Sequence, residues 1–434
     1  MVVWVWKYVM YSFSIEAFLR EGDGLSKGTR LIGELIYDYR KSRRYTLPHL
    51  STLSGIPKGT ISKIERGETK HPELTTILSL TSSLSIPYSD VVGHYIVTER
   101  RKKVLQRLLL EAIQRGESTV IEKIAARFLQ SDSEDSYDLI EELYKTTEAV
   151  TDNTIRLTLF ALIAKYAREH GVQPYVAKAF FQTYLIERND FSRLEQTFHT
   201  GIYLINYIDF FPEEEKALIH FKLGFHAYAL QMHEKSIELL SAVVEEYKSD
   251  PLTRARALLL TSNSYYYLGN YFLAEHYMHE CNMYSFKEIQ ENIKLNEACI
   301  LGKKGHTKQA ISQLLICLQQ SSSDQTIHII NELFELYLHN KDLVSINMLL
   351  KKYESQIINT EYKTPFKKSE LALYFKLKAG YYIQLKKYEE AIDCFMLSIL
   401  HYIGVDSRVR ANDCFNLILF ILPKWAQQQV DEST

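Results

Sequence analysis

The chain is short of the residues that break regular structure. Its 434 residues include 17 glycines and 9 prolines, well below ordinary usage. That scarcity excludes a turn-rich β sandwich and favours long helices. Cysteine is also sparse: Cys281, Cys299, Cys317, Cys394 and Cys414 form no C-x-x-C pair. The spacing excludes a zinc ribbon and a disulfide framework, and it suits a reducing cytoplasm. No Gly-rich phosphate loop, H-E-x-x-H or G-x-S-x-G occurs, so the usual nucleotide, metalloprotease and hydrolase signatures are missing. We therefore expect no enzyme, no catalytic residue, no cofactor and no metal. No apolar run reaches the roughly eighteen residues of a membrane-spanning helix, and no membrane partner is expected. The apolar start, MVVWVWKYVMYSFS, is interrupted by Lys7 and has no cleavage site before Glu16. Residues 1–24 are read as an extension of the chain rather than a signal peptide.

What the chain does have is tyrosine, 30 of them, and an uneven distribution of charge. The formal net charge is −2, yet residues 25–72 hold ten Lys/Arg against four Asp/Glu, or +6. A small basic module on an acidic body predicts a head that binds a polyanion and a body that does not.

Within the head, Leu31, Ile32, Leu35, Ile36 and Tyr39 recur at helical spacing and end in a basic run, Arg40 to Arg44. Thr46 suits an N-cap, with Leu50 and Leu53 as the buried side of a second short helix. Gly55 suits the tight turn that follows. Pro57 suits the first turn of a third helix with Ile61 and Ile64 inward, and Gly67 closes it. Leu74, Ile77, Leu78 and Leu84 supply a fourth apolar face. Three short helices with a turn between the second and third predict a helix-turn-helix, whose later helix enters the DNA major groove.

Leu50, Gly55, Ile56, Ile61, Ser62, Ile64, Glu65 and Gly67 together resemble the Xre/Cro-type helix-turn-helix family over some sixty residues. The resemblance implies that Glu65 pairs with Arg40. It also implies that Lys58, Ser62 and Lys63 reach base edges, with Thr60 and Arg66 nearer the phosphates. That chemistry is sound, because lysine donates to the guanine O6/N7 edge and serine pairs with several bases. The chain departs from the family at Gly59, which has no side chain to read with, and at Leu47, where a glutamine is common. Beyond Pro87 a linker helix carries the basic cluster Arg100–Lys103, a candidate for additional phosphate contacts.

Residues 105–205 read as helix pairs, and the second half of the chain repeats. Aligning the small residue early in each second helix gives Ser236, Ala274, Ala310, Ser345 and Ala391, with steps of 38, 36, 35 and 46 residues. This resembles the tetratricopeptide repeat. Such arrays stack into a superhelix whose groove is lined by the first helix of each pair. Asn263, Asn296 and Asn331 each fall on a predicted first helix, and their amides form a candidate clamp for a peptide backbone. Of Tyr265, Tyr266 and Tyr267, inter-repeat packing is the expected role. His276, His279 and Cys281 lie on one helix without a fourth partner and are read as structural. Cys299 and Cys317 are read as packing within one repeat.

The expected architecture is all-α: a helix-turn-helix domain followed by a tetratricopeptide-type right-handed superhelix. The expected divisions are an extension (1–24), the DNA-binding domain (25–90), a linker helix (91–110) and the repeat, peptide-binding and dimerisation domain (111–434). That combination resembles the RRNPP group of peptide-pheromone receptors. Residues Leu110–Glu148 and the repeats around Ser262–Ala310 look most like arbitrium receptors, whereas the helix-turn-helix and the length look like NprR-type regulators. The resemblance implies a cytoplasmic homodimer that binds double-stranded operator DNA. A short signalling oligopeptide in the groove would switch that binding, in quorum sensing or in phage lysis-lysogeny communication. The alternative is a protein-binding regulator that acts on a response regulator through the repeat body, by phosphatase-type action or sequestration.

Overall fold

A computed structural model describes residues 32–131, 135–247, 250–320 and 323–433, so the expected extension at 1–24 lies outside the described residues. Among the described residues there are helices and no strands, which makes the protein all-α. The chain divides into two compact units, 1–179 and 180–434, and the division falls inside the helix Gln173–Glu187.

In the first unit, α1 (Ile32–Ser42) buries Ile32, Leu35 and Ile36 and ends on Arg40 and Lys41, cations that complement the C-terminal end of the helix dipole. Helix α2 (Leu47–Ser54) starts where the Thr46 hydroxyl accepts the His49 N–H, and it ends at Gly55 in the left-handed region, φ 72°. Leu50 is fully buried, but Leu53 is half exposed, on the outer side of α2 rather than in the core. Helix α3 (Lys58–Glu65) turns Ile61 and Ile64 inward, with Pro57 as its N-cap. Helices α4 (Leu74–Ser83) and α5 (Tyr88–Thr98) complete the head. Gly33 is required by packing, since a Cβ there would overlap the Ile64 carbonyl where α1 crosses α3. Helices α6 (Lys102–Arg115), α7 (Ser118–Leu129), α8 (Ser136–Glu148) and α9 (Asn153–Glu169) follow. Helix α10 (Gln173–Glu187) carries the chain across the division.

The second unit continues with α11 (Leu194–Gly201) and then five helix pairs. They are α12/α13 (Glu213–Ala229, His233–Ser241), α14/α15 (Pro251–Tyr267, Tyr271–Cys281) and α16/α17 (Lys287–Lys303, Thr307–Gln320). Next come α18/α19 (Ser323–His339, Leu343–Asn359) and α20/α21 (Pro365–Gln384, Tyr388–Ile403). The last helix is α22 (Arg408–Ser433).

These pairs share one turn. Gln231, Gly269, Gly305, Lys341 and Lys386 each take positive φ, from 58° to 89°, two residues before the second helix begins. The following N–H reaches back five residues in every case, Met232 to Ala227, Asn270 to Tyr265, His306 to Leu301, Asp342 to Tyr337 and Lys387 to Tyr382, each at 2.9 Å. That is the Schellman closure of a helix end. Three of the five turns use residues with a Cβ, so glycine alone did not reveal the repeat.

The turns also correct the register. The fourth residue of each second helix is Ser236, Ala274, Ala310, Ile346 and Ala391, and each is fully buried. The fourth repeat therefore places Ile346, not Ser345, in the packed position. Ser345 instead sits in the first turn, where its N–H and hydroxyl both donate to the carboxylate of the N-cap residue Asp342.

Candidate nucleic-acid interface and repeat cavity

The helix-turn-helix is held by a buried ion pair. Arg40 Nε and Nη2 donate to the two Glu65 carboxylate oxygens at 2.6 and 2.7 Å, and Nη1 donates to the Tyr45 carbonyl at 2.9 Å. Both side chains are almost fully buried. The bidentate geometry ties α3 to α1 and sets the angle at which α3 is presented. The Arg40–Glu65 pairing implied by the resemblance is thus formed. The inter-helix turn is tied by Ser51 Oγ donating to the Ile56 carbonyl at 2.6 Å and Ser79 Oγ donating to the Ser54 carbonyl at 2.6 Å.

On the outer side of α3, Lys58, Gly59, Thr60, Lys63 and Arg66 are exposed and Ser62 is half-buried. Among the described residues neither Lys58 nor Lys63 has a carboxylate partner. Arg66 is engaged locally, its Nε donating to the Ser62 carbonyl at 3.3 Å and lying 3.2 Å from Glu68. The basic cluster Arg100–Lys103 is partly committed to the protein itself. Buried Glu99 accepts Arg101 Nε and Nη2 at 2.9 and 2.6 Å, and Lys102 pairs with Glu142. Arg100 and Lys103 remain exposed.

The second unit contains a cavity of about 280 Å³. Its walls come from the first helices of successive pairs: Tyr228 on α12, Asn263, Tyr266 and Tyr267 on α14, Asn296 and Cys299 on α16, and His328 on α18. Phe366 closes one side, 5.4 Å from the Tyr228 ring and 6.1 Å from His328. Two of the three expected clamp residues meet here, with the Asn296 amide donating to Asn263 Oδ1. Asn331 lies behind the wall and is almost fully buried. Its amide donates to both the backbone carbonyl and the carboxylate of Glu370, at 2.9 Å each. The tyrosine run splits: Tyr265 stacks on Tyr277 within the packing, while Tyr266 and Tyr267 line the cavity.

An acidic and basic network borders the cavity. His328 Nδ1 lies 3.1 Å from Glu370 Oε2, and Tyr266 Oη donates to Glu332 at 3.3 Å. Burial opposes charge on His328, but Glu370 outweighs it and holds the imidazole above its usual value. Glu370, despite its burial, is held below the usual carboxylate range by His328 and the Asn331 amide. Burial pushes the Glu332 carboxyl up. Sequence reasoning passed over Glu332 and Glu370, because an acidic residue inside a helix reads as solvated until the facing helices are known.

Fold and site together define a class of protein, a helix-turn-helix module joined in one chain to a body of tetratricopeptide-like helix pairs. No protein-family model matches the chain. It is 37% identical over 61 residues to the uncharacterized HTH-type transcriptional regulator RghRB of Bacillus subtilis (strain 168). It is also 37% identical over 60 residues to the HTH-type transcriptional repressor RghR of the same organism. Each match takes in 14% of this chain and 44% of the relative, so the chain spans less than half the length of these relatives. Among solved structures, the apo quorum sensor NprR from B. thuringiensis is similar over 88% of this chain and 99% of its own, with 13% identity and a TM-score of 0.34. PlcR from Bacillus thuringiensis, in complex with the peptide PapR7 and DNA, is similar over 62% and 98%, with 15% identity and a TM-score of 0.21. A signal-transduction ATPase with a tetratricopeptide repeat sensor from Pyrococcus horikoshii is similar over 89% and 62%, with 14% identity and a TM-score of 0.43. No helix among the described residues is long and apolar enough to cross a membrane.

Proposed function

We propose that this protein is a DNA-binding transcriptional regulator whose operator affinity is switched by a short oligopeptide held in the repeat cavity. The observation that carries this reading is the coexistence of two sites in one chain. One unit has a helix-turn-helix locked by Arg40–Glu65 with Lys58 and Lys63 exposed. The other has a cavity lined by the amides of Asn263 and Asn296 and by aromatic rings. Amides satisfy a peptide backbone's donors and acceptors without demanding a sequence, and a cavity of this size takes an anchoring portion of a peptide rather than all of it. Asn331 serves the same site from behind, by orienting Glu370. Lys58, Ser62 and Lys63 contact bases, and Thr60 and Arg66 lie nearer the phosphates. A coupling of about 1–3 kcal/mol between the sites changes operator affinity roughly 5–150-fold.

The regulator acts as a homodimer, since two heads are needed to engage paired half-sites. Helix α22 exposes Val409, Phe415 and Phe420, and α21, packed against it, exposes Leu400 and Ile403. This apolar face suits a second copy of the chain, and Phe420→Glu is expected to yield monomers in analytical ultracentrifugation.

The test of the switch is a gel shift on DNA flanking the gene, at fixed salt, with and without synthetic peptides encoded by adjacent reading frames. A specific shift that a peptide abolishes or strengthens supports the reading and supplies the sign. A shift indifferent to every peptide removes the switch. No shift at all moves the activity to the body, as a protein-binding scaffold.

A further inference from the structure

We propose that Cys299, His328 and Glu332 form a zinc site in the wall of the repeat cavity, with one coordination position left open to it. Cys299 lies on α16, and His328 and Glu332 stand one turn apart on α18. One ligand atom from each of the three lies within 4.8 Å of the other two. Donor atoms of a tetrahedral zinc site are about 3.3–3.8 Å apart, so closing the triad takes side-chain adjustment of about 1 Å. Cys299 is 4% exposed, and it lines the cavity together with His328, which gives an ion a route of entry.

The surroundings resemble the support of a metal ligand rather than ordinary packing. Metal-bound histidines characteristically hand their second nitrogen to a carboxylate, which fixes the tautomer and the ring orientation. Here Nδ1 of His328 meets Glu370 Oε2 at 3.1 Å, leaving Nε2 for the ion. Glu370 is itself fixed by the Asn331 amide, and Glu332 by Tyr266 Oη. Mixed sulfur, nitrogen and oxygen donors suit zinc; magnesium and calcium take oxygen alone. The site stands independently of the peptide reading, because its ligands and supports all come from the chain.

The test uses the full chain, stripped with chelator and titrated with cobalt(II). Wild type is expected to take up one equivalent, with the near-ultraviolet thiolate-to-cobalt charge-transfer band and the visible bands of a four-coordinate ion. Cys299→Ser is expected to lose the charge-transfer band, whereas Cys317→Ser, on the partner helix of the same repeat, keeps it. Glu370→Gln removes no ligand and is expected to retain the band with affinity lowered 10–100-fold. One equivalent of zinc is expected to raise the Tm of wild type and not that of His328→Ala. Absence of the band in wild type, or its survival in Cys299→Ser, overturns the site. Should Cys299→Ser fail to fold, unchanged cobalt affinity in Glu370→Gln overturns it instead.

Discussion

The two candidate sites are built in opposite ways. On the head, the residues proposed for DNA run from Lys58 to Arg66, on one short helix and its C-cap, and all but half-buried Ser62 are exposed. In the repeat unit, the cavity residues come from helices tens of positions apart, and their polar groups are already bonded to one another, as in Asn296–Asn263 and His328–Glu370. The difference follows from the ligands proposed for each. A phosphate backbone is met by mobile cations at an open surface. A neutral peptide backbone needs amides that are held in place and shielded from water, because ordering them at the moment of binding costs affinity.

The sharpest way to break this comparison is to attack the lock of the head. Arg40→Ala leaves the Glu65 carboxylate buried without its partner, and such losses cost about 3–5 kcal/mol. The first unit is expected to lose its cooperative melting, together with specific DNA binding. The transition of the repeat unit, followed by hydrogen exchange of α14 and α16, is expected to remain. Simultaneous loss of both transitions would show that the units are not thermodynamically separate.

Acid is expected to act on the other unit. Burial holds His226 and His233 down to about 4, each with a nearby arginine adding to the effect, while an unfolded chain titrates near 6.5. Below that value the unfolded state binds protons that the folded state refuses. Stability is therefore full above about pH 6.5 and falls as the pH drops toward 4, by up to about 3 kcal/mol for fully buried His226. His328, raised beside Glu370, works in the opposite direction and in a different window: its contribution is in place below about pH 6.5 and is lost as the pH rises above that value. Urea denaturation at pH 7 and pH 5 measures this, and His226→Phe is expected to flatten the dependence.

Paired substitutions sharpen the functional contrast. Lys63→Ala is expected to weaken operator binding by about 1–3 kcal/mol and leave peptide affinity unchanged. Asn296→Ala is expected to lose the peptide response while keeping basal DNA affinity. Gel shift and calorimetry on both variants check the split, and equal loss of both properties in Asn296→Ala would make that residue structural. The smallest effect concerns the shared turn. Lys386 holds φ 59°, a conformation that costs an L-residue about 1–2 kcal/mol. Lys386→Gly is therefore expected to stabilise the repeat unit by about 1 kcal/mol, read as a rise in Tm.

Particular residues mark how far the sequence could be read. Arg40 and Glu65 were legible as a pair because a helix-turn-helix fixes their separation, and the structure joins them. Leu53 was misplaced because its helix is a little over two turns long, too short for its periodicity to define a buried face. Ser345 was placed one position off because the turn before it uses Lys341 where glycine marked two of the others. The cluster around Cys299, His328, Glu332 and Glu370 was invisible, since three helices from three successive repeats contribute to it.

The sequence by itself determined the helical class, the helix-turn-helix, the number of repeats in the second half and which helices carry the amides. Each of these is written in spacings of a few residues or in the recurrence of such spacings, so backbone geometry alone translates them. Only the tertiary structure decided that Asn263 and Asn296 share a cavity while Asn331 stands behind it. It alone brought a thiol, an imidazole and a carboxylate to one point. Those outcomes depend on how successive repeats pack, a property set by the volumes of many side chains at once and not written in any local stretch of the chain.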